Sequence, residues 1–461
     1  MSTELLFGLF LQLAAVGLVL SRVRRRRLGY TGILFVLMSF IYHGLTEIAQ
    51  VMFPGLNHYR TMVSQEYIDR WMLIISSAIL VFAVVYFLRL RPVSKREQVS
   101  PSPTRLGLVD WRRGIAIVLA LQVFLFLITA RFNLGYWGGL ITEMLPAFTI
   151  LSLLELLYAK QGRYLIPVLV LQAGLGALSG ARAAILFAVL TLLAVLVRYG
   201  VSIRWRSLLL PGVIGLVFML AISGMRAVIG RSAFSAQTNE ERIQSLWTGM
   251  EYLLKNGLSS DILHNFAYRF DGNSYSGLVM ASYQDGAKPA GWTPLLNNFL
   301  LAVPSFVNPK KLEAELLKLN EENYLVDHFR LPAYWVNEQT GEITGDFIDY
   351  IPTTWGILFG AFGSTGIWIV AAMLGWLYAA ADNWIQRSKS LFAVLCGIGL
   401  TATTVGIEIG VRNYVLTFRA ILALFLVLFL LRQFALAFRA LAIGISSERI
   451  TNSPVRDRMS G

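Results

Sequence analysis

Tyr268-Arg269-Phe270-Asp271-Gly272-Asn273-Ser274-Tyr275 sets a charged pair among aromatic residues and follows it with small polar ones. It lies near the middle of a stretch rich in Gly, Pro, Asn and Tyr that runs from Met225 to Tyr350. Long apolar runs precede and follow that stretch. The arrangement reads as a polar working face over a membrane pocket, provided the flanking runs are spans and the stretch has a defined side.

Composition supports spans. Of the 461 residues, 56% are hydrophobic and 15% charged, and the mean hydropathy is +0.60. A soluble domain carries about 25% charged residues and has no means of hiding this much apolar surface. Length alone suggests about three domains, but the apolar runs recur almost end to end. One polytopic membrane domain with a large inserted loop fits better. The formal charge of +13 raises the question of nucleic acid. The basic residues sit in short runs between apolar segments, however, so a topology signal explains them and no nucleic-acid partner is expected. Cys396 is the single cysteine and lies inside an apolar run, where it reads as packing. It has no partner for an internal disulfide.

A helix needs about 20 mostly apolar residues to cross the hydrocarbon core. Eleven candidates meet this: 4–21, 31–53, 71–89, 114–130, 140–159, 164–180, 183–199, 208–224, 352–380, 391–410 and 414–431. The expected fold class is therefore an all-α polytopic membrane protein of about 11 transmembrane helices. Residues 1–224 would carry helices 1–8, 225–350 the loop, 351–431 helices 9–11, and 432–461 a tail. Residues 1–4 lack a positive segment and the arginines follow the first apolar run, which reads as a span rather than a cleavable signal.

With the N-terminus outside, 24 Lys and Arg residues fall on inner segments and five on the short outer ones: Arg60, Arg70, Arg131, Arg182 and Arg412. The positive-inside rule selects this orientation, with the C-terminus cytoplasmic. Residues 225–350 are then extracytoplasmic and, with ten Lys/Arg against fifteen Asp/Glu, net acidic. Ser94 to Arg105, with Pro101 and Pro103, reads as a disordered inner linker.

Inside the loop, Ile243, Leu246, Trp247, Met250, Leu253 and Leu254 follow a helical period and predict an amphipathic surface helix. Asn308-Pro309 starts a second helix, with Leu312, Leu316 and Leu319 on one face. Trp292 to Pro304 is apolar but broken by Asn and Pro, which suits a re-entrant or interfacial segment. Gly341-Glu342 reads as a turn.

Charges at apolar spans need partners or a polar cavity. Arg182 sits in Ser179-Gly180-Ala181-Arg182 at the mouth of a tight helical hairpin. Arg226 and Arg231 follow span 8 directly, and Arg412 and Arg419 flank the start of span 11. Guanidinium groups ringed at one interfacial level suit a lipid-linked pyrophosphate; ordinary lipid-phosphate contact is the plain alternative. Arg269 and Asp271 either pair with each other or divide a phosphate and a sugar hydroxyl between them. Tyr268, Tyr275, Tyr283, Trp292 and Tyr334 offer flat faces for sugars, or form an interfacial belt. His264, His328, Asp346 and Asp349 are candidate bases. Glu47, Glu143, Glu155 and Glu408 lie within spans as cavity-lining or helix-pairing groups. The histidine spacing does not suit zinc, and no Gly-rich phosphate loop is present; no cofactor or metal is expected.

Ser179-Gly180-Ala181-Arg182-Ala183-Ala184 resembles the small-small-Arg hairpin of the bacterial O-antigen and exopolysaccharide polymerases, the Wzy-like proteins. Arg269-Phe270-Asp271-Gly272, then Ala302 to Lys310, resembles their large periplasmic loop, and Phe362-Gly363-Ser364-Thr365-Gly366 with Gly375 the helix after it. The resemblance covers roughly residues 165–380. It implies a GT-C-like fold in the bacterial inner membrane and a metal-independent membrane glycosyltransferase. That enzyme would transfer a growing glycan from undecaprenyl pyrophosphate to the next lipid-linked repeat unit, with a flippase and a chain-length regulator as partners. By the same resemblance Arg182 and Arg269 bind the carrier pyrophosphate. The catalytic set read here is Arg269, Asp271 and His264. The substrate-binding set is Arg182, Arg226, Arg231, Arg412, Tyr268 and Tyr275. An O-antigen ligase-type transferase, or a lipid-linked oligosaccharide transporter or flippase, is the alternative. A metal-dependent polyprenyl-phosphate transferase fits less well, because the first outer loop, with Glu66 and Asp69, is short.

Overall fold

The computed structural model describes residues 2–23, 31–53, 60, 62–91, 220–225, 239–257, 270–303, 321–332, 334–336, 343–347, 350–388 and 391–423, with scattered helical positions at 213, 217 and 228 and between 425 and 437. Four described helices are long and apolar enough to cross a membrane: α1 (Thr3–Val23), α2 (Thr31–Met52), α3 (Gln65–Arg89) and α8 (Thr353–Arg387). They mark the chain as a membrane protein. Between them lie α4 (Asn239–Asn256), α5 (Asn273–Gln284), α6 (Thr293–Ala302) and α7 (Glu321–His328). After α8 come α9 (Leu391–Val405) and helical residues 412–423.

The expected spans at 4–21, 31–53, 71–89 and 352–380 are thus helices. The first turn of α3 is polar: Glu66 pairs with Arg70 (2.6 Å), and Gln65 donates to Asp69 (2.7 Å). Span 391–410 is a shorter helix that ends at Gly406 and one 3-10 turn, Ile407–Ile409. Spans 114–130 to 183–199, and the helix expected from Asn308, lie outside the described residues. Strands β1 (Tyr334–Val336) and β2 (Ile343–Phe347) pair antiparallel on either side of Gly341-Glu342. Apart from this hairpin the described elements are helical.

Helices α3 and α8 run parallel, and Gly8 of α1 lies against the Met72 backbone of α3. Trp368 Nε1 donates to Ser77 Oγ (2.8 Å), and further along both helices Tyr86 Oη donates to Asp382 (2.8 Å). Helix α2 runs the other way, its start beside Asp382 and its middle beside Trp355. The interior is aromatic: Phe35 packs on Phe82, Tyr378 and Trp355 with ring centroids 4.8–5.3 Å apart, and Trp71 packs on Phe359. Leu6, Phe7, Phe10, Leu13, Ile369 and Met373 point outward.

Without water nearby, charged and polar backbone groups must be satisfied from within the protein. Asp382, fully buried, does this for the start of α2, accepting from Thr31 Oγ1 (2.8 Å) and Gly32 N (3.3 Å). At the opposite end α8 breaks. Gly363 has φ 70° and ψ −173°, a region only glycine occupies readily, and the helix resumes after it. The carbonyls next to this break are taken by the loop. Ala290 N–H donates to Gly360 O (3.1 Å), Gly291 N–H to Ala361 O (2.8 Å), and Tyr283 Oη to Phe359 O (2.8 Å). Residues 273–291 are thereby seated on the first half of α8.

Helix α6 occupies the segment expected to be interfacial. Its first turn holds Pro294, which needs no N–H partner there. Its outward residues are apolar (Leu296, Phe299, Leu300), while Asn297 and Asn298 face inward. That inversion suits a hydrocarbon surrounding. Helix α4 turns Ser245 and Gly249 inward, Gly249 against the Ala221 and Met225 backbone, and leaves Trp247 and Leu254 exposed.

Replacing Gly363 by alanine should cost about 1–3 kcal/mol through backbone strain. Gly17→Ala, at an open helical position with nothing near its Cβ, should be neutral or mildly stabilising. Thermal unfolding midpoints in detergent should fall for the first and not for the second.

Candidate functional site

The site is built where the middle of α2 departs from regular winding. Phe40–Leu45 form a single π turn, a feature common at functional sites. Its Tyr42 carbonyl accepts from Gly272 N–H (3.2 Å), and Thr46 Oγ1 donates to the Phe270 carbonyl (2.8 Å). Gly272 fits because it has no side chain. A Cβ there would lie 2.6 Å from Thr353 Cγ2 and 2.8 Å from His43 Cε1. Thr353, buried at the start of α8, has φ 42°, a strained value for a β-branched residue.

Asp271 and Asn273 then divide the work of docking. Asp271 caps α5, accepting from Asn273 N–H (2.9 Å), Ser274 N–H (3.2 Å) and the Ser274 hydroxyl. Its second partner is Arg60, whose Nε lies 3.3 Å away and whose Nη2 pairs with Glu47. All three charged side chains are buried, Arg60 to 7% exposure. Burial opposes the charge on Arg60, but Asp271 and Glu47 together outweigh it and hold the guanidinium firmly protonated. Asn273 uses every hydrogen-bonding position it has. Its Oδ1 accepts from His43 Nδ1 (2.6 Å) and Trp71 Nε1 (3.0 Å), while Nδ2 donates to the His43 carbonyl (2.9 Å) and Glu47 Oε1 (2.6 Å). Because Trp71 only donates, this assignment puts the His43 proton on Nδ1. Nε2 is left as a buried lone pair without a partner among the described residues.

A second polar group lies between α6, α7 and the turn after α9. Glu321, 2% exposed, accepts from Asn298 Nδ2 (2.6 Å) and Arg412 N–H (2.8 Å). Burial raises its carboxyl to about 7, against the opposing pull of the Arg412 backbone and Asn298. Asn298 Oδ1, Asn297 Nδ2 and Arg412 Nε are buried here without hydrogen-bond partners among the described residues. Arg419 Nη1 donates to the Ala302 carbonyl (3.1 Å), closing the end of α6.

The sequence-derived candidates separate against this geometry. Arg182, Arg226, Arg231, His264, Tyr268 and Arg269 lie outside the described residues. Asp271 is present but committed: its described charge partner is Arg60, and both oxygens are occupied. Its carboxylate serves a helix cap and an arginine at once. Tyr275 lies inside the fold. It is 1% exposed, with its ring edge-on to Tyr350 (5.6 Å), so no face remains for a sugar. Burial, with help from Glu322 and Glu321, raises its hydroxyl well above the ordinary tyrosine value. Arg412 stands at the second polar group. His328 is engaged with the Lys288 carbonyl (2.8 Å) and stacks on Tyr324. Glu408 accepts from Tyr42 Oη (3.0 Å).

His43, Arg60, Asn273, Asn298 and Glu321 were not singled out by sequence. From sequence, Arg60 reads only as a topology charge and Glu47 as a cavity-lining or helix-pairing acid within a span. Among the described residues no group of three or more His, Cys, Asp or Glu converges on a metal-sized position. The chain matches no protein-family model, no curated protein and no solved structure.

Two outcomes follow from these contacts. Arg60→Met strands two buried carboxylates and should cost about 3–5 kcal/mol. Adding Glu47→Gln should recover part of that loss, as read from unfolding midpoints of the single and double variants. Glu321 has its folded value above the unfolded one of 4.5, so the folded form holds its proton longer. Stability should therefore be greatest below about pH 4.5 and decline as pH rises towards 7, levelling off above it. In Glu321→Gln that slope should disappear.

Proposed function

We propose that the chain is a membrane glycosyltransferase of the polysaccharide-polymerase kind. It would transfer a growing glycan from undecaprenyl pyrophosphate to the next lipid-linked repeat unit. In this reading the eleven expected spans form a GT-C-like bundle in a bacterial inner membrane, with residues 225–350 on the extracytoplasmic side. The observation that carries the proposal is a meeting of motifs. Asp271-Gly272 and Phe362-Gly363 are two separate parts of the resemblance to the Wzy-like polymerases. Gly272 packs on Thr353 at the head of α8, and Gly363 breaks that same helix where residues 283–291 bind it. Motif positions about 90 residues apart thus serve one joint between loop and bundle.

The reaction asks for two things from the protein: cations for a pyrophosphate leaving group and a proton acceptor for an attacking hydroxyl. Arg412 is the described arginine of the expected set, and Arg182, Arg226, Arg231 and Arg269 would complete the ring around the pyrophosphate. Glu321, titrating near neutrality, and the Nε2 lone pair of His43 stand at the same end of the bundle as proton acceptors. Asp271, Asn273 and Arg60 would hold the loop in register over this end.

The test is product analysis in cells making the native glycan. Arg269→Ala and Arg412→Ala should each abolish long polymer while single lipid-linked repeats accumulate. Asp271→Asn should reduce polymer length or yield less severely. Normal-length glycan in both arginine variants would sink the proposal. Accumulation of long carrier-linked polymer in a deletion strain would reassign the chain to a ligase.

A further inference from the structure

The end of the bundle opposite the polar site carries a groove of about 810 Å³ between the last turns of α3 and α8. Arg89, Arg91 and Arg387 line it, together with Leu88, Trp376 and Trp384. The three arginines are exposed and have no carboxylate partner among the described residues. The two tryptophans are 50% and 46% exposed, and Leu88 is 79% exposed.

The groove is held open by a specific clamp. Asn383 Oδ1 accepts from Arg91 N–H (3.0 Å), and its Nδ2 donates to the Arg89 carbonyl (3.1 Å). One side chain of α8 thereby fixes the chain leaving α3, so Arg89 and Arg91 are placed beside Arg387. Two helix C-termini also end here, each equivalent to roughly half a negative charge. That partial charge opposes an anion, but about one negative charge in total is outweighed by three whole cations. A cationic pocket alone would suit any phosphate. Here it adjoins exposed Trp and Leu on membrane-length helices, where indole rings sit at headgroup depth and acyl chains lie alongside.

We propose that this groove binds the headgroup phosphate of an anionic phospholipid, with the acyl chains laid along Leu88 and Trp376. The site is separate from the polar group around Asn273, and the inference does not depend on what reaction the protein performs.

The experiment uses the full chain in nanodiscs of phosphatidylcholine doped with phosphatidylglycerol, with retained lipid counted by native mass spectrometry. Wild-type protein should retain phosphatidylglycerol above its mole fraction. Arg89→Gln, Arg91→Gln and Arg387→Gln should each reduce that enrichment, on the order of fivefold per arginine. The triple variant should show no preference between the two lipids. The triple Arg→Lys variant, which keeps the charges, should retain enrichment. Arg70→Gln, which removes an exposed arginine at the other end of α3, should change nothing. Undiminished enrichment in the triple Gln variant would overturn the proposal. So would displacement of the lipid by millimolar inorganic phosphate, which would mark a site for the free ion.

Discussion

Asn273 is the side chain on which the polar end of this protein depends. In hydrocarbon surroundings a buried amide with an unused donor or acceptor is costly, and one with all positions filled is a rigid joint. Asn273 accepts hydrogen bonds from α2 and α3 through His43 and Trp71, and donates to the His43 carbonyl and Glu47. Three segments separated by up to 230 residues are thereby tied at one point. The buried Arg60, held between Glu47 and Asp271, sits against the same joint. Arg60 is the cation shared by two buried carboxylates, so removing it leaves both without a counter-charge in a dry place.

The break in α8 supplies the complementary surface. An unbroken helix offers no backbone hydrogen-bonding capacity to a neighbour. By departing from helical geometry at Gly363, α8 makes carbonyls at Phe359, Gly360 and Ala361 available, and residues 283–291 use them. The π turn of α2 does the same on a smaller scale through the Tyr42 carbonyl. Irregular backbone inside membrane-length helices is thus spent where the connecting segment docks.

The membrane character, the four long apolar helices and the helix α4 could be read from the sequence because each depends on local composition or period, although α3 starts at Gln65, ahead of the span expected from 71. Asp271-Gly272 and Phe362-Gly363 stood out in the sequence as well. Their roles did not. Nothing local to Asp271 signals that Arg60, 211 residues earlier, will pair with it. Tyr275 reads as an aromatic face for sugars, yet it packs inside a joint that only tertiary structure creates. Glu321 follows a charged helical pattern, and nothing local signals that Asn298 and the Arg412 backbone will enclose it. Long-range pairing of ordinary polar residues leaves no mark on spacing.

The capping of α2 by Asp382 bears on how the protein is made. Chains enter a membrane from the N-terminus onward, and α2 is complete long before residue 382 leaves the ribosome. Until then Thr31 and Gly32, the first residues of that helix, lack the carboxylate that finishes them, and Tyr86 lacks its acceptor. The N-terminal helices are therefore inserted as an open assembly, and arrival of α8 closes it from both ends. It brings Asp382 to the start of α2 and the Gly363 break to the loop. Biogenesis of this protein is in that sense decided by one of its late helices.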